Sequence, residues 1–394
     1  MQHYNRTGGL SDRQFGFREK HSTVTQMLNC LDLWSKNLST KRVTYVCYID
    51  LKKAFDSVNH RKLLIALKSK GFGDSVLHWL KSYLTDRTQQ VTMGDVFSAN
   101  AAISSGVLQG SCIGPCAFLG LIDSCIRRIS EIEGVEIFGF ADDLKVWSNC
   151  PQKLQAALCQ IESWCASWQL RVAPQKCLIL QIGQGPSPTF SLAGANLPYV
   201  DSAVDLGFTV DRFLTFSEHC QSLAKKAKST AYLTLRCFNT GRVAPLVRAY
   251  TTYVRPKLEY GTQVFYPVHS KDSEPLERVQ KYFTRRIFAK CRMRETDYES
   301  RLKFLGLDRL DIRRAKLDLL LGHKMFHGKC HDSNLLTMAS SSGSTHHPCN
   351  LLKEKSGNLV RSTFFSNRIV NMWNKLPEHI VRDSEDKLKD YIKL

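Results

Sequence analysis

The chain lacks a long apolar run. No stretch approaches the roughly 18–20 residues that a membrane-spanning helix needs, so no transmembrane segment is expected. Its N-terminus, MQHYNRTGGLSDRQ, is polar and has no apolar core of a secretory signal. No internal repeat is visible. Acid is scarce: 36 Asp and Glu face 55 Lys and Arg, for a formal net charge of +19 and a pI of about 9.4. Such an excess favours a polyanionic partner, nucleic acid before anionic membrane. Zinc-knuckle spacing is absent as well. His323, His327, Cys330 and His331, followed by His346, His347 and Cys349, contain no CxxC or CCHC pattern. His323 and His327 are four apart and can share one helical face toward zinc, but scattered polar residues are the simpler reading.

What is present starts with 394 residues, enough for two or three domains with real cores. Fourteen cysteines are scattered along the chain, and Cys47, Cys159 and Cys177 lie in apolar runs. Without a secretory signal they read as buried free thiols in a reducing compartment.

Helical patterning begins at Ser22, and residues 45–50 (YVCYID) read as a buried strand. Lys53–Lys70 reads as a helix that stops at Gly71-Phe72-Gly73, and Ser75–Tyr83 as an amphipathic helix. Gln89–Met93 and Ala99–Ser104 alternate like a strand pair across a Gly94-Asp95 turn. A glycine-rich turn, Ser105–Pro115, leads to an apolar helix over Cys116–Ile129. Glu136–Trp147 reads as a hairpin with Asp142 and Asp143 at its tip. A helix over Pro151–Gln169, a strand over Cys177–Ile182 and a short strand pair over Ala203–Asp211 follow. Strands mixed with helices and a late hairpin indicate an α+β sheet domain. Beyond Phe216 the pattern is mostly helical and basic, with Ser340–Pro348 as an exposed loop.

Two of these strands run straight into carboxylates: Asp50 after YVCYI, and Asp142 and Asp143 after IFGFA. Carboxylates against buried strands are costly unless cations sit there. Hard divalent ions bind through one or two carboxylates plus substrate phosphates, and a two-ion phosphoryl-transfer site needs such a convergence. An aspartate that merely ends a strand is the plain alternative, and it explains Asp50 alone better than it explains all three.

The segments YIDLKKAFDSV, SGVLQGSCIGP and FADDLKVW resemble three core motifs of reverse transcriptases in their non-LTR, LINE-type variant. QFGFREKHST (14–23), YLTDRTQQV (83–91), WQLRVAPQK (168–176) and LGFTVD (206–211) match in the same order, and weaker likeness continues through RPKLEY (255–260), Leu276–Ile287 and WNKLP (373–377). The resemblance implies a right-hand polymerase: a remnant of the fingers over 1–44, a palm over 45–215, a basic helical thumb-like region over 216–316 and a helical C-terminal extension over 317–394. It implies RNA-directed DNA polymerisation with two Mg²⁺ (or Mn²⁺) held by Asp50, Asp142 and Asp143. Phe55 would lie under the incoming sugar and exclude a 2′-hydroxyl; a core ring is the alternative. Gln109 and Gly110 would border the nucleotide and template base, although Leu108 stands where the family has Pro. Arg18, in the first motif, is a substrate-binding candidate, and Lys176 a candidate for protonating pyrophosphate or steadying the triphosphate. Asp56 reads as a loop or helix-start residue. Only about thirteen residues precede QFGFR, so part of the fingers is expected to be missing.

Between Lys225 and Lys316 there are 22 Lys and Arg against 9 Asp and Glu, an excess of 13 out of the chain's 19. Lys225, Lys226, Lys228, Arg285 and Arg286, interleaved with aromatics, are the candidates for gripping phosphates without regard to sequence. The expected partners are therefore an RNA template, a DNA primer or target, and dNTPs, met inside the cell in cytoplasm or nucleus. A rival reading is a catalytically inactive relic that only binds nucleic acid. A metal nuclease is weaker, because no general-base histidine neighbours the aspartates and Phe55 and the glycine turn stay unexplained.

Overall fold

The computed structural model describes residues 1–331, 335–339 and 348–393. Two compact units divide the chain: residues 1–26 with 41–201, and residues 27–40 with 202–394. Among the described residues no helix is long and apolar enough to cross a membrane.

In chain order the first unit holds α1 (Gln2–Thr7), the start of α2 (Thr23–Ser39), β1 (Thr44–Ile49), α3 (His60–Ser69) and α4 (Asp74–Leu84). Then come β2 (Arg87–Gln89), β3 (Thr92–Met93), β4 (Val96–Phe97), β5 (Ala101–Ile103), α5 (Ile113–Ser130), β6 (Val135–Phe140), β7 (Asp143–Ser148) and α6 (Pro151–Trp168). β8 (Leu178–Ile182), β9 (Ser191–Leu192), β10 (Ala195–Asn196) and β11 (Tyr199–Val200) complete it.

The central sheet has the order β11-β8-β1-β7-β6, antiparallel except for β11 beside β8. Alternation along the strands sends Cys47, Ile49, Val146, Ile137 and Ile179 to one face, where they meet Phe118, Ile122, Ile126, Leu158 and Ile161 of α5 and α6 in a single core. Each such side chain, fully buried, contributes about 1.5–3 kcal/mol. β1 is apolar on both faces because neither face is solvated: only Tyr48 of its six residues is partly exposed.

The strand pair expected over residues 89–104 forms as two short ladders, β2 with β5 and β3 with β4, around a Gly94-Asp95 turn. The helix expected over Lys53–Lys70 starts later, at His60, where the Asn59 side chain accepts the Lys62 N–H at 3.0 Å. Residues before it are held elsewhere: Phe55 and Val58 give their carbonyls to Val107 N–H (2.9 Å) and Gly106 N–H (2.8 Å).

The second unit contains the rest of α2, the hairpin β12 (Ser202–Asp205) and β13 (Phe208–Asp211), and α7 (Ser217–Cys237). Helices follow: α8 (Val243–Ala249), α9 (Arg255–Glu259), α10 (Ser270–Lys290), α11 (Tyr298–Leu305) and α12 (Leu310–Phe326). α7 and α10 pack together. α7 buries Ala224, Ala227 and Ala231, small enough to let the helices approach, and α10 buries Leu276, Val279, Phe283 and Ile287. Short helices from Leu359 to Ile392 close the unit. Arg368 joins them to α12 through a bidentate pair with buried Asp318 (2.8 and 2.9 Å).

All fourteen cysteines are free thiols. Cys47 and Cys177 are buried, but Cys159, expected inside, is exposed on α6, whose apolar face runs through Leu154, Leu158 and Ile161 instead. The Nε2 atoms of His323 and His327 face the backbone carbonyls of Asp383 (3.1 Å) and Val381 (2.9 Å). His346 and His347, and most of the Ser340–Pro348 loop, lie outside the described residues.

Candidate active site

The strand register assembles the acidic site. β1 and β7 are antiparallel with Ile49 opposite Leu144, so the next pair in that register is Asp50 and Asp143. Both follow the alternation of Tyr48 and Lys145, on the sheet face opposite the α5–α6 core. Asp142 occupies the hairpin tip: β6 and β7 pair through Phe140 and Asp143, leaving a two-residue loop of Ala141 and Asp142. Two-residue hairpins need a positive φ at their first or at both loop positions, and Ala141 supplies one at +58°.

Asp50 and Asp142 are partly exposed, and Asp143 is exposed. Burial pushes the Asp142 carboxyl above the ordinary carboxylate range; a backbone N–H opposes this, and the charge of Asp50 adds to it. Lys176 reaches the same spot, its Nζ 3.4 Å from Asp50 Oδ2. It arrives there because residues 171–176 dock on the end of β1: Lys52 N–H donates to Arg171 O (2.7 Å) and Ala173 N–H to Asp50 O (2.8 Å). Cys177 closes the contact, its thiol accepting the Asp50 N–H at 3.4 Å, and burial raises that thiol's pKa.

A second wall is the turn at 105–111. Gly106 crosses Asp56 so closely that a Cβ there would stand 2.8 Å from its Cα and carbonyl oxygen, and its φ of +92° also demands glycine. Gln109 donates its amide to Asp56 Oδ1 at 2.7 Å. Leu108, in place of proline, keeps the turn closed by accepting the Ser111 hydroxyl at 2.7 Å. Lys53, Asp56, Thr88, Gln89, Ser105 and Gln109 line a polar cavity of about 660 Å³ here. Phe55 is half-buried, its ring stacked on Phe118 at 4.3 Å with 21° between planes. Gly110 is left-handed, at φ +79°.

Arg18 lies along an open polar cavity with Arg13, Lys20 and Arg127. Its guanidinium donates to the carbonyls of Ser11 (2.5 Å) and Gln14 (3.1 Å), holding its own loop. The residue missed by pattern reading is Gln14. It is completely buried and hydrogen-bonded to the backbone of Ala141, next to the two aspartates. Its position in QFGFR was the only available signal, because burial of an amide cannot be read from spacing.

In the second unit Lys225, Lys226, Lys228 and Arg286 are exposed and form no ion pair with the described residues. Arg285 pairs with Glu295 at 2.8 Å.

An open acidic strand end thus stands beside a lysine, a glycine turn and a polar cavity. The family model "Reverse transcriptase (RNA-dependent DNA polymerase)" matches residues 3–266, two thirds of the chain, and the chain belongs to that family, in its non-LTR, LINE-type branch. It is 28% identical to the RNA-directed DNA polymerase from mobile element jockey of Drosophila melanogaster, over 75% of this chain and 34% of that protein. The probable RNA-directed DNA polymerase from transposon BS of the same species is 31% identical over 55% of this chain and 25% of its own length. The chain thus spans about a third or less of these relatives. Among solved structures, apo telomerase from Candida tropicalis aligns with a TM-score of 0.40 and 12% identity, over 79% of this chain and 53% of that one.

Proposed function

We propose that this chain performs RNA-directed DNA synthesis, extending a primer 3′-hydroxyl with dNTPs on an RNA template. The observation that carries it is the β1–β7 register, which sets Asp50 opposite Asp143 with Asp142 at the adjoining tip. The donor set is all carboxylate oxygen, which suits hard divalent ions. Asp50, Asp142 and Asp143 would hold two Mg²⁺ (or Mn²⁺), supplying the positive charge that neutralises the triphosphate and favours the ionised 3′-hydroxyl. The remaining work is positioning and charge. Lys176, at the mouth of the site, offers a proton and a positive charge to the departing pyrophosphate. Gln109 and Gly110 border the base pair being formed, and Phe55, backed by Phe118, limits room at the sugar 2′ position. In this reading the first unit's sheet is the palm, residues 1–44 a part of the fingers, 216–316 a thumb whose Lys225, Lys226, Lys228, Arg285 and Arg286 hold the duplex, and 317–394 an extension.

A binding-only reading has two observations in its favour. Among the described residues no three His, Cys, Asp or Glu side chains already stand as a metal-binding group, and Lys176 pairs with Asp50. Primer extension on poly(rA)/oligo(dT) with dTTP and Mg²⁺ separates the two. Wild type is expected to extend the primer, and Asp142→Ala or Asp50→Ala to lose about 10³-fold or more. Folded wild-type protein that binds the duplex but never extends it establishes the binding-only reading.

A further inference from the structure

Gln14 is 0% exposed, yet it sits in a loop. A buried primary amide is costly unless both of its atoms are matched. Here they are matched by one turn. Gln14 Oε1 accepts the N–H of Ala141 (3.0 Å) and of Gly16 (2.8 Å), and Nε2 donates to the Ala141 carbonyl (3.2 Å). The amide therefore grips both polar groups of the one residue whose left-handed φ shapes the tip. For an alanine that conformation costs about 1–2 kcal/mol and persists only when its surroundings over-determine it.

The grip is itself anchored. Phe15 N–H donates to Gly139 O (2.8 Å) and Gly139 N–H to Arg13 O (2.9 Å), so residues 13–15 run as a short parallel rung along β6. Ser11 N–H donates to Asp123 Oδ1 (2.5 Å), and Asp123, fully buried on α5, is also held by Lys70 and by Arg127 (2.6 Å). Gly16 completes the approach: a Cβ there would stand 2.3 Å from the Ala141 nitrogen. Gln14 and the backbone of residues 13–15 thus hold the strand end that precedes Asp142.

We propose that Gln14 is a positioning residue for the acidic site. Its amide fixes the Ala141 turn and thereby the strand end from which Asp142 and Asp143 would close with Asp50 on a divalent cation. The proposal rests on the reading of these aspartates as metal ligands, and Gln14 touches neither metal nor substrate.

The test uses the whole chain and Mn²⁺ alone as probe, with binding followed by electron paramagnetic resonance and amide exchange followed at Ala141. Gln14→Met keeps the volume and removes the amide. Gly16→Ala keeps the amide and displaces the Ala141 nitrogen. Both are expected to weaken Mn²⁺ binding about tenfold and to speed Ala141 exchange, and Gln14→Glu, which retains an acceptor for the two N–H groups, to lie between them and wild type. A purely structural role would lower the melting temperature of these variants without moving Mn²⁺ affinity. Folded Gly16→Ala with wild-type Mn²⁺ affinity overturns the proposal, even where Gln14→Met does not fold. Asp142→Ala serves as the control. If it binds Mn²⁺ as wild type does, the ligand reading itself falls and takes this proposal with it.

Discussion

At Asp56, one side chain and one carbonyl hold the glycine turn: Oδ1 accepts Gln109 at 2.7 Å and the backbone oxygen accepts the Ser105 hydroxyl at 2.9 Å. A primary amide can present either its oxygen or its nitrogen. An ionised acceptor selects the nitrogen and leaves the Gln109 oxygen for another donor. A hydrogen bond to a charged group contributes about 1.5–3 kcal/mol, so losing it is worth on the order of tenfold or more. Asp56→Ala is therefore expected to raise the KM for dNTP about tenfold with a smaller fall in kcat, and Asp56→Asn, which keeps an acceptor, to stay closer to wild type. Steady-state kinetics at fixed primer–template check this, and an unchanged KM in Asp56→Ala sinks it. That Asp50, Asp142 and Asp143 stand at the ends of neighbouring strands was legible in the sequence, because each closes an apolar run. The engagements of Arg18, Asp56 and Gln14 were not. Asp56 and Gln109 lie 53 residues apart and Gln14 and Ala141 127, while Arg18 turns back on its own loop in a way that no periodicity signals.

At the scale of elements, α7 and α10 divide their residues by face. Alanines and large apolar side chains meet inside, while Lys225, Lys226 and Lys228 on α7 and Arg286 on α10 point to solvent. Neutralising a phosphate releases a counterion, so the slope of log K against log salt reports how many such contacts form, at about 0.9 per contact on duplex DNA. Lys225→Gln, Lys228→Gln and Arg286→Gln together are expected to weaken duplex binding at 100 mM salt and to flatten that slope by about two to three units. A slope equal to wild type means that these helices present a solvated charged face and nothing more. Arg285 is set apart by its pair with Glu295 and is expected to contribute less. Helix and strand identities were readable here because alternation and 3.6-residue periodicity survive tertiary packing. The late start of α3 was not, since Phe55 and Val58 give their carbonyls to Val107 and Gly106, a contact that sequence spacing does not show. β11 escaped detection for a related reason: two residues beside β8 carry no periodicity.

For the whole molecule, acid is the condition that tests the packing of the second unit against its charge. His219 on α7 lies against the rings of Phe208 (5.6 Å) and Phe265 (4.6 Å), and its Nδ1 accepts the Thr209 N–H at 3.2 Å. Burial, helped by the charge of Lys226, lowers its pKa from 6.5 to about 4. His323 on α12 shifts the same way, through burial and its neighbour His327. The sign follows from proton counting. Between about pH 6.5 and 4 the unfolded chain carries a proton on His219 that the folded chain does not, so stability is full above this window and falls as pH drops through it. From pH 7 to pH 5 the loss assigned to His219 is about 2 kcal/mol. The formal charge of +19 at neutral pH grows as histidines in the unfolded chain protonate, so no electrostatic gain offsets that loss. His219→Gln keeps an acceptor for Thr209 and cannot titrate. Urea unfolding of wild type and His219→Gln at pH 7 and pH 5 is expected to show the variant losing about 2 kcal/mol less than wild type over this interval, whatever its absolute stability. Equal losses in the two proteins would mean that His219 is as free to protonate in the folded chain as in the unfolded one, and that the aromatic cage does not exclude the charge.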